Sequence, residues 1–165
     1  MKRGIVVFIT LVLVTISFGD DHKTSCIDKF GAQIFELIKT DKLDKILELT
    51  PNSDELIFII NNSTFPDEQK KQIISQAENQ AKSHNESLKK SYELFISNSE
   101  SARIDWSNFS IDYIDFEHKR KDNIEDVDID LYVKSNGIKH KIGLHDCLKS
   151  EGTWLIGNEI YWKAP

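Results

Sequence analysis

Over residues 27–40 the apolar side chains of Ile27, Phe30, Ile34, Leu37 and Ile38 recur at threes and fours, the spacing of one helix face. Thr40 and Asp41 interrupt it. Leu43, Ile46, Leu47 and Leu49 then predict a short second helix that ends before Pro51, because a proline disfavours helical backbone at the residue preceding it. Ser53 is placed to cap a third short helix over 54–61. A long helix is predicted after Thr64, with Pro66 in its first turn and Asp67 and Glu68 near the positive end of its dipole. Its stripe reads Ile73, Ala77, Ala81, His84, Leu88, Tyr92 and Phe95. Continued to Asn98, this helix would be about 50 Å long. The stripe is thinnest in the middle, so the helix is expected either to kink at 83–87 or to be approached closely there.

From Arg103 the apolar period changes to two. Ile104, Trp106, Phe109, Ile111 and Tyr113 begin the strand pattern, and Ile114 and Phe116 continue it on the opposite parity, which predicts a bulge or an edge where the strand turns over. A charged loop is expected over 118–126. Val127, Ile129, Leu131 and Val133 alternate with Asp128, Asp130, Tyr132 and Lys134, the pattern of a half-buried strand. Asn136-Gly137 is a strong hairpin signal. Taken as the two turn residues, they oppose Val133 to His140, Leu131 to Ile142, Ile129 to Leu144, Asp128 to His145 and Lys134 to Lys139. A last strand is expected over 153–162. The sum is an α+β domain in which N-terminal helices pack on a curved, cone-like antiparallel sheet of about four strands.

The first 19 residues alter the setting of this domain. Lys2 and Arg3 precede an apolar run over 5–16, and Ser17 and Gly19 are small residues at positions suited to cleavage. This is the pattern of a signal peptide, which makes 20–165 a single exported domain, periplasmic or extracellular. The run is short for a membrane span, and no stable membrane anchor is expected. Cys26 is separated from it by His22, Lys23, Thr24 and Ser25, which argues against a lipid attachment site. Without Lys2 and Arg3 the 21 Lys and Arg residues fall to 19, against 27 Asp and Glu, a formal net charge near −8. Such a surface repels phosphate backbones, so no nucleic-acid partner is expected. In an oxidising compartment Cys26 and Cys147 are candidates for a disulfide, with two separate thiols as the alternative.

Candidate chemistry is sparse. His84 and His140 fall on expected inward faces, where imidazole could bind, transfer a proton or ligate. The rings of Trp106 and Tyr113 could line the same pocket. These four residues form the expected ligand-binding set, against the alternative that each is ordinary core or core rim. No catalytic residue, metal site or cofactor motif is identified. Asp122, Glu125, Asp126, Asp128 and Asp130 lack the spacing of a calcium loop and read as a solvated acidic face.

The helices-then-sheet order, the Asn136-Gly137 hairpin, and a strand ending Asp146-Cys147 followed by Gly152-Thr153-Trp154 carry a resemblance. In these features the chain resembles small exported bacterial proteins of the nuclear transport factor 2-like, or cystatin-like, α+β superfamily. The resemblance implies a cone whose interior, between helix and sheet, can hold a ligand, and in enzymes of this class an Asp, His or Tyr set. No such set matches here residue by residue. The expected function is an exported module that binds a small molecule or a protein, with a homodimer through the sheet as one form of partner. The competing expectation is an isomerase or hydrolase that uses His84 or His140.

Overall fold

The computed structural model describes residues 26–163, so the expected signal peptide lies outside the described residues. Among them, helices α1 (Ile27–Lys39), α2 (Leu43–Leu47), α3 (Ser53–Asn61), α4 (Asp67–Ile74) and α5 (Ala77–Ser101) come first. A 3-10 turn, Trp106–Asn108, leads into strands β1 (Ser110–Lys121), β2 (Ile124–Ser135), β3 (Ile138–Ser150), β4 (Thr153–Leu155) and β5 (Glu159–Lys163). The strands form one antiparallel sheet in which β1 pairs with β2, β2 with β3, and β3 with both β4 and β5. The α+β arrangement of N-terminal helices on a curved antiparallel sheet is therefore the observed one.

One core joins both halves. Helix α1 buries Phe30, Ile34, Phe35 and Ile38, and α5 buries Leu88, Tyr92 and Phe95. They pack against the inward parity of the sheet, where Val127, Ile129, Leu131, Ile142 and Leu144 are fully buried with Trp154. A β-carbon on Gly31 would lie 2.9 Å from the Leu131 side chain, so its absence lets α1 seat closely on β2.

Helix boundaries depart from the expectation at two places. Asn52, not Ser53, caps α3: its side chain accepts from the Glu55 N–H at 3.0 Å, and the Glu55 carboxylate accepts from the Asn52 N–H at 2.9 Å. The long helix breaks at Ser75 and Gln76 and runs unbroken through 83–87. Helix α4 buries none of its residues, whereas α5 begins at the buried Ala77. The break thus falls where the apolar stripe starts to have a core to meet. Ser75 helps end α4 by donating its hydroxyl to the Gln72 carbonyl at 2.7 Å.

In the sheet, the Asn136-Gly137 turn adopts positive φ at both positions, 49° and 81°. It sets the expected pairs Val133 with His140, Leu131 with Ile142, Ile129 with Leu144, and Lys134 with Lys139. The lysine pair is relieved from β1. A bulge between Ile111 and Tyr113 leaves Asp112 as an extra residue, and its carboxylate accepts from Lys134 and Lys139. Both lysines hold the Asp112 carboxyl below the usual carboxylate range.

Four sheet expectations are corrected, the first being that the strand begins at Ile104 and Trp106: Trp106–Asn108 is a 3-10 turn and β1 starts at Ser110. The segment 118–126 is not a loop: β1 continues to Lys121, turns through Asp122 and Asn123 at φ 53° and 61°, and re-enters the sheet as β2 at Ile124. A second bulge, between Val127 and Ile129 in the β2–β3 register, sets both His145 and Asp146 opposite Asp128, so the expected one-to-one pair is not formed. Asp128 instead accepts from the Asp146 N–H at 3.0 Å and from Lys119 at 2.6 Å. The last strand is divided into β4 and β5, with the Ile156 N–H between them donating to the Leu49 carbonyl at 2.9 Å.

Candidate functional site

The end of the sheet that carries the β2–β3 hairpin opens into a cleft of about 650 Å³ between the end of α5, the 3-10 turn, the hairpin and β5. Its wall includes Arg103, Phe109, Asn136, Ile138, His140 and Trp162. Arg103 follows α5 in left-handed backbone, φ 57°, and the Ile104 N–H returns to the Ser99 carbonyl at 2.8 Å, which ends the helix. Asp105 then fixes the turn, accepting from the Ser107 N–H and hydroxyl at 3.1 and 2.6 Å and from the Asn108 amide at 2.6 Å. The turn drives Trp106 inward.

Trp106 is the hub of an aromatic cluster behind the cleft. Its ring stacks on Phe95 at 5.2 Å and meets Phe109 at 5.3 Å, His140 at 5.9 Å and Trp162 at 6.2 Å. The Trp106 indole N–H is buried with no acceptor among the described residues. Such a group costs about 1–3 kcal/mol, so the ring is held there by packing.

His140 Nδ1 accepts a hydrogen bond from the Trp162 indole N–H at 3.1 Å. An indole nitrogen can only donate, which fixes the neutral tautomer with the proton on Nε2. Burial also lowers the His140 pKa. Protonation at Nδ1 would set two N–H groups against each other. His140 therefore offers a neutral N–H donor at the cleft, not a free base.

Of the four residues expected to share a site, the structure brings His140 and Trp106 together. His84 lies elsewhere on α5. Trp106 stacks on Phe95, eleven residues further along that helix, about 16 Å at 1.5 Å per residue. The charge that reaches His84 is that of Asp146, and burial, opposed by Asp146, lowers its pKa. Its Nδ1 is buried without a hydrogen-bond partner among the described residues. Tyr113 is on the opposite face of the sheet. The bulge at Asp112 reverses the parity of β1, so Tyr113 is 52 % exposed and stacks on Tyr132 at 4.2 Å, while Ile114 takes the inward position. The cysteines are not joined: Cys26 is exposed just before α1, and Cys147 is a fully buried thiol on β3. Burial pushes the Cys147 thiol up to about 12, which leaves it unreactive as a nucleophile.

A second arrangement was not anticipated from the sequence. On the outer face, a depression of about 270 Å³ is lined by Asp115, Glu117, Asp128, Asp130, His145 and Tyr161, among others. A β-carbon at Gly143 would fall 2.1 Å from the Tyr161 ring, so the glycine lets that ring lie across β3. The phenol meets His145 Nε2 at 3.1 Å and lies 3.5 Å from Asp130, whose carboxylate also accepts from Lys141 at 2.6 Å. Burial, and then the Asp130 charge, raise the Tyr161 pKa. The signal for this contact is the single glycine inside an otherwise regular strand.

Among the described residues no cluster of three or more His, Cys, Asp and Glu side chains is disposed to hold a metal ion, and no helix is long and apolar enough to cross a membrane. Comparison with protein-family models, with curated proteins and with solved structures finds no match.

Proposed function

We propose that the protein is an exported module that binds a small molecule in the hairpin-end cleft, with the ligand's apolar body on Phe109, Ile138 and Trp162. The observation that carries this reading is His140 on the cleft wall with its only lone pair already taken by the Trp162 N–H. A ring fixed in this way is suited to donating a hydrogen bond to a ligand acceptor and poorly suited to removing a proton. Arg103 and Asp105 line the same cleft with opposite charges, so the ligand class that fits is a small apolar molecule bearing a hydrogen-bond acceptor for the His140 N–H. The helix-then-sheet order and the signal-peptide pattern support an exported binding domain of the cone type, and the separation of His84 from the His140 cluster weighs against an enzyme that uses both.

Anilinonaphthalene sulfonate, an apolar aromatic anion, is a direct probe. Saturable binding to the native protein with quenching of tryptophan fluorescence is expected. Ile138 is 55 % exposed, so Ile138→Asp leaves folding intact and should weaken the probe at least about tenfold by placing a carboxylate at the lip. No saturable binding of this probe, or equal binding by Ile138→Asp, would overturn the reading.

A further inference from the structure

We infer that β1 pairs with the β1 of a second copy of this chain, edge to edge over residues 115–121, to extend the sheet across two molecules. This surface is separate from the cleft. Among the described residues strand β1 has β2 as its one neighbour in the sheet, so its other edge has no strand paired to it. Residues 115–121 are exposed without exception. Their cross-strand neighbours Val127 and Ile129 are fully buried, so this half of β1 overhangs the helical layer. Phe116, an inward-parity residue on the overhang, is 41 % exposed.

The backbone identifies which residues face the open edge. The Phe116 N–H is bonded at 2.9 Å by the carboxylate of Asp115, not by β2. Because backbone groups alternate between the two sides of a strand, the even-numbered residues of this stretch direct their N–H and C=O groups outward. A second strand can therefore pair only in a register that opposes even-numbered residues to even-numbered ones.

Charge then selects among those registers. The stretch begins with Asp115 and Glu117 and ends with Lys119, Arg120 and Lys121, so an antiparallel copy reverses its polarity. A two-fold axis at His118 opposes Asp115 to Lys121, Phe116 to Arg120 and Glu117 to Lys119. An axis at Phe116 would oppose Asp115 to Glu117, and axes at Glu117 or Lys119 would oppose like charges to themselves. In the favoured register each outer-face pair is a cross-strand ion pair. Arg120 of one copy can lie over the exposed ring of Phe116 in the other. The Asp115 carboxylate, which covers the Phe116 N–H in a single copy, moves to Lys121 of the second copy and yields that N–H to the Arg120 carbonyl. A basic peptide of unrelated sequence would find acidic partners along only half of this edge, which favours a second copy as the occupant.

Sedimentation equilibrium tests the proposal with two charge reversals at exposed positions, Asp115→Lys and Lys121→Asp. Circular dichroism checks that each variant keeps its fold. The unsubstituted protein is expected to dimerise. Each variant alone faces two like-charge contacts per dimer and should self-associate at least about tenfold more weakly. An equimolar mixture of the two variants should recover the original affinity as a heterodimer, because positions 115 and 121 then face each other with opposite charges. A monomeric unsubstituted protein, variants that dimerise as well as it does, or a mixture that recovers nothing would overturn the proposal.

Discussion

Strands β3 and β5 carry a histidine and an aromatic ring on each of their two faces, His140 with Trp162 inside and His145 with Tyr161 outside. Both pairs join the same two strands by hydrogen bonds of 3.1 Å, yet they are chemically different. The inner imidazole meets an indole that can only donate, so one tautomer is imposed. The outer imidazole meets a phenol that can donate or accept, and the Glu159 carboxylate lies 3.4 Å from its other nitrogen. The inner pair is backed by Trp106, Phe95 and Phe109, whereas the outer pair lies open among carboxylates. The ring that partners a histidine, and the face on which the pair sits, thus decide what the imidazole can do more than its place on the strand.

The largest effect that would break this contrast is loss of the inner scaffold. Trp106→Ala removes the ring on which the inner pair rests and should cost about 3–5 kcal/mol in denaturant unfolding. Tyr161→Ala, on the outer face, should cost under about 1.5 kcal/mol. Equal costs would mean that the two faces do not differ as described.

Gly143→Ala should have the next largest effect, because its new methyl group would occupy the space of the Tyr161 ring. A cost of about 1–3 kcal/mol is expected. The double variant with Tyr161→Ala should recover most of it, since the three atoms nearest the new methyl group all belong to Tyr161. A Gly143→Ala protein as stable as the original would contradict the close approach.

The smallest expected effect is on pH dependence. Burial lowers the pKa of His140, and of His84 against the opposing charge of Asp146, below the ordinary 6.5. The unfolded chain therefore binds protons that the native protein refuses, and stability falls as pH drops below about 6.5, becoming level above it. His140→Gln should make that decline shallower in urea unfolding measured between pH 5 and 7. An unchanged slope would assign the decline to other groups.

How much of this was legible from sequence depended on whether an apolar parity was continuous. The β2–β3 pairing could be read because Asn136-Gly137 fixes the turn and both flanking strands alternate. The Asp122-Asn123 turn could not, because the end of β1 is exposed on both faces and shows no alternation to follow. In α5 the stripe gave the buried face correctly but placed the bend at its weakest point, while the real break lies where α4 leaves the core. At the cleft, His140 followed from parity, Trp106 is turned inward by a 3-10 turn where a strand was expected, and Tyr113 was misplaced by one bulged residue. The Tyr161–His145 contact depends on a ring crossing a strand, for which Gly143 was the one trace.

The central claim, that His140 is held as a neutral donor by Trp162, can be measured by nitrogen NMR of the imidazole and indole groups. At pH 7 the account predicts an unprotonated Nδ1, a protonated Nε2 and a scalar coupling from the Trp162 N–H across the hydrogen bond to Nδ1. A proton on Nδ1, or a positively charged His140 ring at that pH, would contradict it.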